Sequence, residues 1–131
     1  MPIPDPARRF DPSKRKQKTL SHHAPIFTRG FDFYCWLLDR ISETERSQCL
    51  GKPLIQQSRR LIEAVTLALQ GFSTYENLRV ADEATALLRL HLRVGENKGL
   101  LDERQYHFAL DTLNDMGRQL GGWLKKWEGE Y

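Results

Sequence analysis

YENLRVADEATALLRLHLRV, residues 75–94, decides the fold. Leu78, Ala81, Thr85, Leu88 and Leu92 recur at steps of three or four, the spacing that lines one face of an α-helix. No strand-like alternation survives beside that period. The spacing predicts a helix from about Tyr75 to Val94. Ser73-x-x-Glu76 before it has the form of a capping box, serine oxygen to a backbone amide and glutamate back to the serine amide. Gly95-Glu96-Asn97-Lys98-Gly99 ends it, with Gly95 as the expected left-handed cap.

The same period continues on both sides. Downstream, Asp102-x-x-Gln105 is a second capping box, followed by Tyr106, Leu110, Leu113, Gly117, Leu120, Leu124 and Trp127 on one stripe. Upstream, Leu54, Ser58, Leu61, Val65, Ala68 and Phe72 form a stripe flanked by Ile55, Ile62 and Leu69, with Gly71 near its end. Gly51-Lys52-Pro53 breaks the chain before it, and Pro53 suits a first helical position. The earliest periodic segment reads Phe31, Tyr34, Leu37, Leu38 and Ile41 and stops in the polar run 42–48. Four helices of roughly 15–25 residues, each about 22–37 Å long, are joined by three short breaks. Short breaks force antiparallel neighbours. The expected fold class is therefore all-α, an up-down-up-down antiparallel four-helix bundle with a basic, disordered N-terminal arm.

The chain has 131 residues, 40% of them hydrophobic and 28% charged, an ordinary balance for one globular domain. No apolar run approaches the length of a membrane span. Met-Pro-Ile-Pro-Asp-Pro at the start offers no apolar signal core, so a cytoplasmic protein without a membrane partner is expected. Cys35 and Cys49 form no Cys-x-x-Cys pair and are expected to be two buried thiols, with zinc or disulfide use as the other option.

Charge divides the chain unevenly. Residues 1–30 hold seven basic and two acidic residues, +5, while the remainder holds 13 basic and 15 acidic, −2. Pro2, Pro4, Pro6 and Pro12 interrupt the arm, and no periodic apolar pattern starts before Phe27. Such a segment cannot bury enough surface to offset the entropy of ordering it. Residues 1–25 are expected to be a flexible basic arm and residues 26–131 the bundle domain. The arm is either a solubilising terminus or a phosphate-seeking one, through Lys14, Arg15, Lys16 and Lys18 among others.

On the body, Arg89 and Arg93 stand one turn apart, with Asp82 and Ala86 on the same strip. Guanidiniums at i, i+4 repel and call for anions, either carboxylates of a neighbouring helix or phosphates. Arg59, Arg60, Arg118, Lys125 and Lys126 add cationic positions. Surface ion pairs and a nucleic-acid-facing surface are the two readings. Gly117, Gly121 and Gly122 each weaken a helix interior. Gly117 and Gly121 share a face, which points to close approach of a neighbouring helix or subunit, or to a hinge. Trp36, Phe108, Met116 and Trp123 fall off the main stripes, and Met116 and Trp123 form a second strip that suggests self-association or a protein partner.

Catalysis has little to rest on. A di-metal bundle needs paired Glu-x-x-His units, and there are none. Glu103 and His107 are a single pair, His91 reads as a helix-surface or interface residue, and Asp82-Glu83 and Asp102-Glu103 read as helix N-terminal charges. There is no glycine-rich phosphate loop and no nucleophile with a recognisable partner. No enzyme, catalytic residue, metal or cofactor is expected. A metal-dependent nuclease with dispersed carboxylates is the most distant alternative.

Ala81-Asp82-x-x-x-Ala86-x-Leu88-Arg89-x-x-Leu92-Arg93 resembles the third helix of the accessory variability determinant proteins of diversity-generating retroelements. Gly117-Arg118-x-Leu120-Gly121-x-Trp123 is similar to the end of their fourth helix. The resemblance is strongest over residues 75–127 and is one of pattern over 27–72. It implies a non-enzymatic four-helix bundle that assembles as a pentamer, binds the retroelement's reverse transcriptase, and binds nucleic acid through a basic surface. The transcriptase in such systems copies template RNA into adenine-mutagenised cDNA. Arg89, Arg93 and Arg118 match basic positions of the pattern, and Gly117, Gly121 and Trp123 match packing positions. The body of this chain departs from the family in charge, since residues 31–131 sum to −2 rather than to a strongly basic total. The wider family, proteins encoded in intervening sequences of bacterial 23S ribosomal RNA genes, supplies the alternative: an oligomeric bundle with no transcriptase partner.

Overall fold

The computed structural model describes residues 24–42 and 48–129. They form four helices and, among the described residues, no strand: α1 (Pro25–Arg40), α2 (Gly51–Leu69), α3 (Thr74–Asn97) and α4 (Glu103–Trp127). The arm residues Lys14, Arg15, Lys16 and Lys18 lie outside the described residues, as do five residues of the polar run after α1.

Each helix packs on its neighbours in chain order, and α4 closes the ring on α1. Side-chain pairs show the directions. Tyr75 and Arg89 of α3 meet Glu128, just past α4, and Asn114 of α4. Arg29 and Trp36 of α1 meet Asp115 and Phe108 of α4. In both seams one number rises as the other falls, so the neighbours are antiparallel. This is the expected four-helix bundle. No helix is long and apolar enough to cross a membrane among the described residues.

The core is continuous. Phe33, Leu37, Leu54, Leu61, Val65, Leu78, Leu88, Leu92, Leu113, Met116 and Leu120 are almost wholly removed from water. Each such side chain contributes about 1.5–3 kcal/mol of hydrophobic driving force. The buried hydroxyls of Ser58 and Thr85 are satisfied within their own helices, donating to the carbonyls of Ile55 and Ala81.

Several local expectations are corrected. In α1 the buried stripe is Ile26, Gly30, Phe33 and Leu37, continued by Ile41, and Phe31 is half exposed. The reason lies at Gly30, where an added Cβ would stand 3.0 Å from Ile62 and 3.2 Å from Met116, so the helix turns its smallest residue to the closest approach. Met116 is accordingly a core residue and not part of an outer strip. Pro53 is third in α2 rather than first, a position whose missing N–H still costs nothing because the first turn has no intrahelical acceptor. Ser73 makes no capping box. Its backbone is left-handed, φ 42°, and its carbonyl instead accepts from the Asn77 amide and side chain. Asp82 and Glu83 lie well inside α3, not in its first turn. Cys35 is half-buried and Cys49 exposed; both are free thiols.

Helix α3 runs past Gly95 to Asn97, and the left-handed residue is Gly99, φ +86°. Leu100 donates to the Gly95 carbonyl and Gly99 to that of Glu96, the paired bonds of a Schellman motif, and α2 ends the same way at Gly71. Asp102 caps α4 as its sequence predicts: Asp102 Oδ1 accepts from the Gln105 amide at 2.7 Å, and Gln105 Oε1 accepts from the Asp102 amide at 3.0 Å.

Candidate nucleic-acid interface

The candidate cations separate by their partners. Arg60 donates to Glu83 at 2.8 Å across the α2–α3 seam and also to Gln57. Arg118 pairs with Asp115 at 3.0 Å, and Asp115 pairs with Arg29 at 3.0 Å on its other oxygen. Arg60 is thus matched by a carboxylate of its own, whereas Arg118 and Arg29 share the single charge of Asp115. Arg59, Lys125 and Lys126 are exposed, and the two lysines occupy the last turn of α4, where cations complement the helix dipole.

Arg89 and Arg93 differ. Among the described residues neither has a carboxylate within ion-pair distance. Arg89 is half-buried at the α3–α4 seam. Its Nε donates to Asn114 Oδ1 at 3.1 Å, a neutral acceptor. Its Nη2 lies over Gly117, only 2.6 Å from where a Cβ would sit. Gly117 therefore serves close approach, as its position predicts, but what approaches is a guanidinium rather than a helix backbone. Gly121 and Gly122 face open space, with nothing within 4 Å of an added Cβ.

Arg93, one turn along, is exposed and borders a hollow of about 510 Å³. Leu90, Val94 and Tyr106 supply its apolar and aromatic lining, and Lys98 and Glu96 stand at its edge. The cluster the structure brings together is thus Arg89, Asn114, Gly117, Arg93 and Tyr106. Arg59 and Arg60 lie on a different face, on α2. Asn114 and Tyr106 carry no charge signal in the sequence, and only the α3–α4 register, in which 89 meets 114, adds Asn114 to the site.

At the far end of the same seam, the Tyr75 hydroxyl donates to Glu128 at 3.0 Å and accepts from Arg79. That hydrogen bond is the main reason the Arg79 guanidinium is held charged above its ordinary range. A second hollow of about 510 Å³ lies on the α1–α4 seam, lined by Arg29, Asp32, Trp36, Phe108 and Thr112 among others. The Trp36 and Phe108 rings meet there at 5.1 Å, with Arg40 over Trp36. Asp32 and Asp115 offset the arginines, so this seam does not favour an anion.

Phe108 is half exposed, as its place off the main stripe implies. Phe72 and Trp127 are exposed although their spacing put them on the stripes. Three further exposed apolar residues share a face the sequence reading did not single out. Leu87, Leu90 and Val94 are 39%, 53% and 37% exposed and follow at three and four along the outside of α3. Half-buried Val80 lies seven before Leu87, so the outer face repeats as a heptad does. Trp36 and Trp123 instead pack partly against the core. Among the described residues, no group of three or more His, Cys, Asp and Glu stands where it could hold a metal ion. Glu103 and His107 approach only to 3.8 Å on the exposed side of α4.

The fold and these side chains define an antiparallel four-helix bundle with a small cationic cluster on one seam. No protein-family model matches the chain, and neither does any curated protein or solved structure.

Proposed function

We propose that this protein is a non-enzymatic nucleic-acid-binding scaffold, an accessory factor of a diversity-generating retroelement that links reverse transcriptase to its template RNA or cDNA. One observation supports the nucleic-acid part above others. Arg89 and Arg93 stand on one strip without carboxylate partners among the described residues, while Arg60 pairs with Glu83 and Arg118 shares Asp115 with Arg29. An unmatched pair of guanidiniums at one helical turn repels unless an anion lies between or beside them. Phosphate, like carboxylate, is an anion that arginine forks bind in two-pronged fashion. The sequence resemblance over residues 75–127 supplies the retroelement and transcriptase part of the reading.

The overall body charge of −2 does not exclude this role, because the carboxylates that pair with arginines among the described residues, Glu83 and Asp115, do not reach Arg89 or Arg93. The basic arm, with Lys14, Arg15, Lys16 and Lys18, adds sequence-independent attraction. Self-association into a pentamer would present the seam repeatedly and raise avidity. The outer face of α3 at Leu87, Leu90 and Val94 is one exposed apolar surface for it, and it adjoins the Arg93 hollow through Leu90 and Val94.

The test is fluorescence anisotropy with a labelled single-stranded RNA across a salt series. Each phosphate neutralised on a single strand contributes about −0.7 to the slope of log affinity against log salt. Replacing Arg89 and Arg93 together by alanine should flatten that slope by more than one unit while the fold stays intact. Removing residues 1–20 should flatten it further and weaken all sequences alike. Absence of binding at low salt by the full chain would sink the nucleic-acid reading. Finding a reverse transcriptase encoded beside it, and its co-purification with this chain, tests the partner. A bundle that oligomerises without either partner would be the intervening-sequence type instead. Magnesium- or manganese-dependent cleavage of the RNA, lost on a carboxylate substitution, would overturn the non-enzymatic part.

A further inference from the structure

Arg89 carries five N–H donors, and among the described residues one is taken up, the Nε–H held by Asn114. Arg89 as a residue is half-buried, and its Nη2 lies against α4 at Gly117. Two features of α4 hold it there. Asn114 accepts from the inner edge and fixes the plane of the guanidinium. Gly117, one turn further, leaves the space that Nη2 occupies. A side chain at position 117 would compete for that volume.

We infer that Gly117 and Asn114 are positioning residues, and that together they form a seat holding the Arg89 guanidinium for a phosphate oxyanion. This rests on the nucleic-acid reading for the source of the phosphate but not for the seat itself. With Nε bound to the amide and Nη2 lying over Gly117, the N–H groups of the two terminal nitrogens are the donors left for an oxyanion, with Arg93 one turn away as the second cation. The chemistry recognised is a tetrahedral phosphate, from an RNA backbone or from free phosphate. A lysine at 89 would reach neither Asn114 in the same way nor two oxygens at once.

The geometry also says how the seat can be emptied without unfolding the bundle. The atom nearest an added Cβ at 117 is the tip of a long flexible side chain, not backbone. Gly117→Ala should therefore displace the guanidinium and leave the helices in place. Once Arg89 is gone, nothing else stands within 4 Å of that Cβ and the substitution becomes an ordinary gain in helix propensity.

The experiment is a double-mutant cycle on the full chain with Gly117→Ala, Arg89→Ala and the pair, read by melting temperature and by RNA binding. Gly117→Ala should raise the melting temperature more in the Arg89→Ala background than alone. It should weaken RNA binding several-fold and flatten the salt slope by about 0.7, the loss of one phosphate contact. It should cause no additional loss when Arg89 is already alanine. Asn114→Ala should behave likewise in binding, a change that a purely structural role would not produce in the salt slope. Additive effects of Gly117→Ala and Arg89→Ala on both readouts would overturn the seat.

If the wild-type chain binds no RNA, the nucleic-acid reading fails separately, and inorganic phosphate becomes the probe. Phosphate should then raise the melting temperature of the wild type, and that rise should vanish in Arg89→Ala and Gly117→Ala. Equal response in all three proteins would overturn the seat on that arm as well.

Discussion

Asp115 on α4 reaches Arg29 on α1 at 3.0 Å with one carboxylate oxygen while its other oxygen holds Arg118 of its own helix. The contact between Arg29 and Asp115 is the ion pair that spans the α1–α4 seam among the described residues. The same carboxylate offsets part of the charge of Arg118.

Asp115→Asn should therefore act in two directions. Both arginines are at least half exposed, so the loss in stability should stay below about 1 kcal/mol. Nucleic-acid affinity should rise, because one negative charge is removed and Arg118, next to Gly117 on α4, is released. Anisotropy and thermal denaturation on the same preparation separate the two effects. Weaker RNA binding with unchanged stability would contradict the assignment of Arg118 as partly offset by Asp115.

Asp102 satisfies the first turn of α4 through a reciprocal pair of bonds with Gln105. Asp102→Ala should cost about 1 kcal/mol, the usual cost of deleting a helix N-cap. Ser73→Ala, at a position that makes no side-chain cap bond, should cost much less by that route. Chemical denaturation of both variants would check the contrast, and equal losses would contradict the cap assignments.

Gly121 and Gly122 sit in α4 with open space where a side chain would project. Within a single chain, Gly121→Ala and Gly122→Ala should each stabilise the helix by about 0.5–1 kcal/mol. If another subunit approaches this face, the same substitutions should weaken assembly while raising the stability of the monomer. Denaturation curves taken at low and high protein concentration distinguish these cases.

Leu90 is the most exposed member of the outer α3 strip. Leu90→Glu should leave the fold nearly unaffected, as surface substitutions usually do, and should dissociate the assembly. Light scattering is expected to give a pentamer for the wild type and a smaller species for the variant. A monomeric wild type at micromolar concentration would remove the oligomer from the proposed function. An oligomer unchanged by Leu90→Glu would move its interface elsewhere.

The four helices, their antiparallel order and the buried face of α3 were legible in the chain itself. Period and loop length are short-range properties, and Leu78, Ala81, Thr85, Leu88 and Leu92 are all buried as their spacing implies. The Asp102 cap was legible for the same reason, since both of its bonds close within three residues. Other features depended on distant partners. Phe31 and Phe33 are equally apolar, and only the approach of Ile62 and Met116 to Gly30 decides which of them faces inward. Gly95 and Gly99 are both plausible helix ends by composition; Gly95 is instead buried against Leu100 and Leu54 while the chain turns at Gly99. Among the arginines, sequence spacing lists the charges but not which ones are matched. Glu83 reaches Arg60 from 23 residues away, and Asn114 holds Arg89 from 25. Local hydrogen bonding and periodicity are written into consecutive residues, so the sequence by itself determined the helices. Charge pairing and close approach are set by the register between helices, so only the tertiary structure decided which cations are left for an anion.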